Sequence, residues 1–489
     1  MNFQTDSAYT AGKKQSRFVW QAVLLALTVA VSGCGDSQDS AGKSSTTTGS
    51  STISHEKAAP GSEGSIVTHE ADAPGAKGSA TSSDTGNTAV TEKAGVSKTT
   101  EDRAYSEAFP PEKKPQPEPQ AGMLTAGEWD DNGSWSRWLK LIGSEGRDGI
   151  LQSWGIVPDQ RLTVKVTAEG VPARDTKVLL QCSDRTEWSA RTDNKGVAYL
   201  FGSLLSSGET DVQNGAADSN LNSSEAPESN KRREAVGEDC IVSVPELKSA
   251  PSHQVAQQDW KNENVVSINT SNKPKQPDRT LDLMLMVDTT GSMADELNYL
   301  SKELVDVVSR VQKKNGQSLN IRISPNFYRD HGDEYTVRPF PFQKDSQQAQ
   351  DRIAEQEADG GQDYPEAVDE ALKNAIGEHD WSESAQARLL LLVLDAPPHR
   401  GQSELREIQQ MTEAAAAKGI RIVPVAASGT DLETELLMRS LAAATGGTYV
   451  FLTDDSGIGG SHKKPEGIEP QIMPFNDLLV ELISRYAAV

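Results

Sequence analysis

The stretch Leu283–Met293 reads LMLMVDTTGSM. Five apolar residues lead into an aspartate, and hydroxyls follow it at Thr289, Thr290 and Ser292. A run this apolar predicts a strand covered on both faces, as in parallel sheets. A carboxylate at its carboxyl end costs free energy to desolvate unless something pairs with it. The neighbouring sequence has to supply that partner.

Downstream, strand and helix patterns alternate to the end of the chain. This predicts a doubly wound α/β domain over 280–489, with a mostly parallel sheet and one antiparallel edge strand. LDLMLMVD (281–288) is the first strand, and 293–314 is an amphipathic helix with Leu297, Leu300, Leu304 and Val308 on one side. LNIRISPNFYRD (319–330) and YTVRPFPF (335–342) form a hairpin about HGDE (331–334). Helices follow near 345–357 and 365–377, then the buried strand RLLLLVLD (388–395). A helix ending at AAAAKG (414–419), the strand 420–427, a helix near 432–444, the strand 448–452 and a last helix from Phe475 complete the domain.

Tracing the chain up and down through these elements brings the loops of Asp288, Asp330, Asp363, Glu366 and Asp395 to one face. That face lies outside the carboxyl ends of the strands, where such sheets bind ligands. Carboxylates gathered there repel one another unless a cation sits among them. The missing partner is predicted to be a metal ion. Oxygen donors that include hydroxyls favour Mg²⁺ or Mn²⁺ over Zn²⁺.

Asp288-x-Thr290-x-Ser292 resembles the D-x-[ST]-x-S signature of the von Willebrand factor type A domain, with its metal-ion-dependent adhesion site. The resemblance implies a Rossmann-like fold and hydroxyl ligation of the metal by Thr290 and Ser292, with Asp288 acting through water. GGQDYPEAVDEAL (360–372) is similar to the integrin β-subunit loop, which implies Glu366 as a further ligand, with Asp363 as the alternative. The family's last aspartate falls on Asp395, although LDAPPH (394–399) departs from the usual T-D-G turn. In this family a carboxylate of a protein partner completes the metal shell.

DTTGS (288–292) is also similar to the aspartyl-phosphate loop of haloacid-dehalogenase phosphatases, which would make Asp288 a nucleophile. That reading lacks a strand-end lysine for the phosphate and leaves Asp395 and DYPE unused. A serine hydrolase reading lacks a G-x-S-x-G and a base beside Ser292. The domain is therefore read as non-catalytic. Asp330 and His331 are candidate ligand-binding residues. His331 contacts a ligand or helps bind a second ion, or else belongs to a solvated turn. The glycine-containing loop 454–470 either shapes the binding surface or simply connects.

Upstream, RLTVKVTAEGVPARDTKVLLQC (161–182) alternates apolar and polar residues, and TDNKGVAYLF (192–201) is a turn between strands. The region 161–270 resembles the transthyretin-like and carboxypeptidase-regulatory-like β-sandwiches, and a polar insertion interrupts it near 204–236. Trp129, Trp135, Trp138 and Trp154 fall within 121–160 and are read as packing residues of a cap on this module. Residues 34–120 are rich in Ser, Thr, Gly and Pro and predict a disordered tether.

Residues 1–33 combine a basic GKKQSR (12–17) with the fourteen-residue apolar core 18–31, short for a membrane span. VSGC, ending at Cys34, resembles the bacterial lipobox, so Cys34 is expected to be lipidated and the protein anchored in the cell envelope. Gly35 favours an outer-membrane or surface address by the same resemblance. Cys182 and Cys240 remain, and in an exported chain they are expected to be bridged. A formal net charge of -23 argues against a nucleic-acid partner and suits divalent cations. The combined expectation is a membrane-anchored binding protein that takes a protein ligand through a divalent cation, or else a scaffold for envelope complexes.

Overall fold

The structure is a computed structural model that describes residues 117–202, 204, 239–247, 249–261, 264–272, 274–361 and 363–488. The expected leader, Cys34, the tether up to residue 116 and the insertion from residue 205 lie outside the described residues. No described helix is long and apolar enough to cross a membrane.

In chain order the described strands and α-helices are β1 (Thr125–Trp129), α1 (Trp135–Ile142), α2 (Arg147–Trp154), β2 (Arg161–Ala168), β3 (Val171–Pro172), β4 (Lys177–Cys182), β5 (Glu187–Arg191), β6 (Val197–Phe201), β7 (Cys240–Ser243), β8 (His253–Gln254) and β9 (Val265–Thr270). They continue with β10 (Asp278–Asp288), α3 (Leu297–Asn315), β11 (Asn320–Tyr328), β12 (Val337–Arg338), α4 (Ser346–Ala354), α5 (Val368–Leu372), β13 (Ala385–Leu394), α6 (Gln402–Lys418), β14 (Ile420–Ala426), α7 (Leu432–Thr445), β15 (Tyr449–Leu452), β16 (Ile472–Pro474) and α8 (Phe475–Tyr486).

The two apolar runs explain the layering. In β10, Leu281, Leu283, Leu285 and Val287 join the core under α3, α4 and α8, while Met284 and Met286 join the core under α5, α6 and α7. In β13, Leu389, Leu391 and Val393 face the first layer, and Leu390, Leu392 and Leu394 the second. Period-two alternation of side chains thus feeds two separate cores from each strand. Each such buried side chain contributes roughly 1.5–3 kcal/mol, so a charge at Leu391 or Met284 would cost more than most single changes.

The sheet has eight strands in the order β12-β11-β10-β13-β14-β15-β1-β16. β11, β10, β13, β14 and β15 are parallel, and β12 is antiparallel at one edge. One antiparallel strand was expected; there is a second. β1 pairs antiparallel with both β15 and β16. The segment read as a cap on the sandwich therefore opens with a strand of the C-terminal sheet, and the sandwich is inserted between β1 and β10. Two further expectations shift. The hairpin pairs little more than Val337 and Arg338, because Pro339 and Pro341 have no N–H to donate. The helix expected from 365 begins at Val368, behind Pro365, and passes into a π-turn over Lys373–Glu378.

The sandwich has sheets β3-β2-β6, with β9 also on β2, and β5-β4-β7-β8. Cys182 and Cys240 face each other in register on β4 and β7 and are joined by a disulfide. In the 192–197 turn the Asp193 carboxylate accepts from the amides of Lys195 and Val197, and a Cβ on Gly196 (φ +76°) would lie 2.5 Å from the Val166 carbonyl oxygen.

The sandwich docks at the amino ends of the sheet. Asp175 pairs with Arg388, at the start of β13, at 2.9 Å, and the Arg421 guanidinium donates to the Arg191 carbonyl at 3.2 Å. Trp135, Trp138 and Trp154 are buried, and the Trp154 indole donates to the Glu433 carbonyl of α7 at 3.1 Å. They pack as expected, but against the α/β domain as well as the sandwich. Upstream of β1, the Glu303 carboxylate of α3 accepts from the amides of Gly122, Met123 and Leu124 at 2.8–2.9 Å.

Candidate metal centre

Asp288 is the last residue of β10 and is fully buried. Its Oδ1 accepts from the Thr290 amide at 2.8 Å and the Thr290 hydroxyl at 2.7 Å. Thr290 Oγ1 is in turn 3.1 Å from Ser292 Oγ, so the signature hydroxyls lie side by side. The short 3-10 turn Gly291–Asp295 carries Ser292 into position ahead of α3.

A glycine loop closes over this turn. Gly291 N–H donates to the Gly360 carbonyl at 3.1 Å, and Asp359 N–H to the Thr289 carbonyl at 3.1 Å. Gly361 has φ +65°, and a Cβ on it would lie 2.8 Å from Glu366 Oε1 and 2.9 Å from Thr290 Cβ. Only glycine fits this approach. It brings Glu366 beside Thr290. Glu366 is itself fixed by its amide, which donates to the Pro397 carbonyl at 2.9 Å, in the loop just after Asp395.

Three carboxylates converge without enough partners. Asp288 Oδ2, Glu366 Oε2 and Asp395 Oδ1 are buried and accept no hydrogen bond. The Tyr328 hydroxyl lies beside Asp288 but outside hydrogen-bonding geometry. Burial pushes Asp288 up to about 7, with the Asp395 charge adding to it. Glu366 is pushed up to about 9 by burial and then by the charges of Asp288, Asp330 and Asp395. Asp395 rises to about 6 chiefly through burial, and the Ser292 hydroxyl beside it acts the other way. Buried acids with free lone pairs and mutual repulsion form an anionic pocket that a cation would satisfy. The donor set is hard oxygen throughout and fits a small divalent ion.

The sequence-predicted residues divide as follows. Asp288, Thr290, Ser292, Glu366 and Asp395 come together. Asp363 is exposed, while Glu366 is buried. Asp330 is buried one step away, and its Oδ1 is 2.7 Å from Nε2 of His399. His331 is exposed, with its ring centroid 5.4 Å from that of His399. His399 was not singled out in the sequence, although it ends the same LDAPPH stretch as Asp395.

Glu296 and His462 were also missed. His462 is buried, with Nε2 2.6 Å from Glu296 Oε1 and Nδ1 2.9 Å from Asp454 Oδ1. Glu296 also accepts from the Ser428 amide at 3.2 Å. The loop 454–470 is thereby clipped to the turn before α3, beside the metal face. A lone histidine between Ser461 and Lys463 gave no signal of this, since its partner Glu296 lies far away in sequence.

The fold and site together define a doubly wound α/β domain with an acidic, hydroxyl-bearing pocket at the carboxyl ends of its strands. Residues 282–460 match the model of the von Willebrand factor type A domain family. Domains of this family generally mediate protein–protein interaction and often bind a divalent metal. The match leaves out β1, β16 and α8, which complete the sheet and its covering layer. No curated protein matches the chain.

Proposed function

We propose that the protein binds a protein ligand through a divalent cation, Mg²⁺ or Mn²⁺, and performs no catalysis. The observation that carries this reading is the convergence of three buried, unpartnered carboxylate oxygens, from Asp288, Glu366 and Asp395, on the paired hydroxyls of Thr290 and Ser292. Thr290, Ser292 and Glu366 would hold the ion, with Asp288 and Asp395 supporting it. Burial favours Glu366 over Asp363 as the ligand. Bound there, the ion supplies an electrophilic centre that a partner's carboxylate completes, bridging two acidic surfaces that would otherwise repel.

The proposed setting is the bacterial cell envelope, with Cys34 lipidated and the partner either an adhesion ligand or an envelope component that the protein helps assemble. No nucleic acid is involved in this reading. Calorimetric titration of Mg²⁺ and Mn²⁺ into wild type and Asp288→Ala tests the core of it. Binding in wild type and its loss in the variant are expected. Equal heats in both proteins, or Asp288-dependent phosphate release from a generic ester, would overturn it.

A further inference from the structure

Beside the metal face lies a second donor set of different chemistry. One ligand atom each from Asp330, His331 and His399 can be chosen so that all three lie within 4.8 Å of one another. Two separate loops bring them there. Asp330 follows β11, and Asp333 fixes its turn, with Oδ2 accepting from the Asp330 amide at 3.1 Å and the Gly361 amide at 3.0 Å. His399 follows the Pro397–Pro398 segment, which is held to Glu366 by the backbone hydrogen bond at Pro397 and a parallel bridge at Pro398.

We propose that Asp330, His331 and His399 form a site for a borderline transition-metal ion, Zn²⁺ in the first instance, next to the hard-cation centre. Two imidazoles and one carboxylate are donors that suit Zn²⁺ better than Mg²⁺. In a tetrahedral zinc site the donors stand roughly 3.3 Å apart, as bonds of about 2.0–2.1 Å require. The Asp330–His399 pair at 2.7 Å needs to open only slightly, with the metal replacing the shared proton. His331 is exposed, and its ring already lies against that of His399. Three protein donors leave a coordination position for water or a ligand atom. Such an ion would join the 330–333 turn to the 397–399 segment and would set a second positive charge close to Glu366, on which Asp330 already acts.

An ordinary hydrogen-bonded pair next to a solvated histidine is the competing account. Untagged full-length protein is dialysed against Zn²⁺ in excess Mg²⁺, and bound zinc is measured for wild type, His331→Ala, His399→Gln and Asp288→Ala. His331→Ala changes an exposed side chain, so loss of fold does not confuse its result. Zinc bound by wild type and by Asp288→Ala, but weakened by roughly 10–100-fold or more in both histidine variants, is the expected outcome. The inference is overturned if wild type binds no zinc, or if the histidine variants bind as tightly as wild type. It is equally overturned if zinc is lost only in Asp288→Ala, which would put that ion in the first centre. Because Asp288→Ala is scored separately, failure here and failure of the Mg²⁺ reading are distinguishable.

Discussion

Asp288 Oδ1 takes both the amide and the hydroxyl hydrogen of Thr290, while Oδ2 of the same carboxylate takes none. One half of the group is fixed in the turn and the other half has no hydrogen-bond partner, in a carboxylate that feels the charge of Asp395 and acts on that of Glu366. Without a cation this arrangement stores electrostatic repulsion in the folded state.

The repulsion makes stability depend on pH in a definite direction. Asp288, Glu366 and Asp395 stand at about 7, 9 and 6 in the folded chain, each above its unfolded value near 4. The metal-free folded state thus holds more protons than the unfolded chain, and stability falls as pH rises between those limits. In chelator, the unfolding midpoint of wild type should drop from about pH 5 to about pH 8.5 by more than that of Asp288→Asn. Excess Mg²⁺ should remove the difference. A midpoint in chelator that responds to pH equally in both proteins would rule this out.

The strand β1 should be required for an independently folded α/β domain. A fragment beginning at Asp278 leaves the β15 edge unpaired, and an apolar exposed edge invites association with other chains. Light scattering should find this fragment oligomeric or insoluble, and a fragment from Pro117 monomeric. A monomeric fragment from Asp278 with an unchanged melting temperature would refute the assignment of β1 to the domain.

Removing the Cys182–Cys240 bridge should weaken the sandwich and spare the candidate metal centre at the other end of the sheet. The bridge spans a sequence separation of 58 residues, and its loss is expected to cost about 2–4 kcal/mol. Urea unfolding of the Cys182→Ala/Cys240→Ala protein should show the shift, while Mg²⁺ calorimetry should match wild type. Weakened Mg²⁺ binding would mean that the two ends are coupled.

Glu303→Ala should release the chain ahead of β1. Three backbone donors lose their acceptor; the buried Leu124 amide left unpaired costs about 1–3 kcal/mol, while the exposed Gly122 can turn to water. Hydrogen exchange should speed up at Gly122, Met123 and Leu124 before any change in β10. Unchanged exchange at these amides would show that β1 alone holds the segment.

Much of the C-terminal domain was legible because its signals are local. The apolar runs of β10 and β13, the hydroxyl spacing after Asp288 and the order of the acidic loops all sit within short windows. β1 was not legible. Its sequence, TAGEW, carries little strand propensity, and its partner strand β15 lies more than 300 residues further on. The difference in burial between Asp363 and Glu366 also needed the fold, since spacing alone leaves both on one loop. His399 was within reach of the sequence, four residues after Asp395, but its pairing with Asp330 depends on two loops meeting in space.

The insertion of the sandwich between β1 and β10 also decides how the protein would carry tension. β1 runs antiparallel to β15, so Thr125 sits at the carboxyl end of the parallel strands, the same end as Asp288. A pull on the chain at Pro117, opposed by a ligand held at the candidate metal centre, would enter and leave the domain at that one end. The load would pass first to α3 at Glu303 and then from β1 through its hydrogen bonds to β15 and β16, and so into the sheet. The sandwich, attached at the opposite end, would stay slack. It is a side branch of the mechanical path rather than a stalk within it.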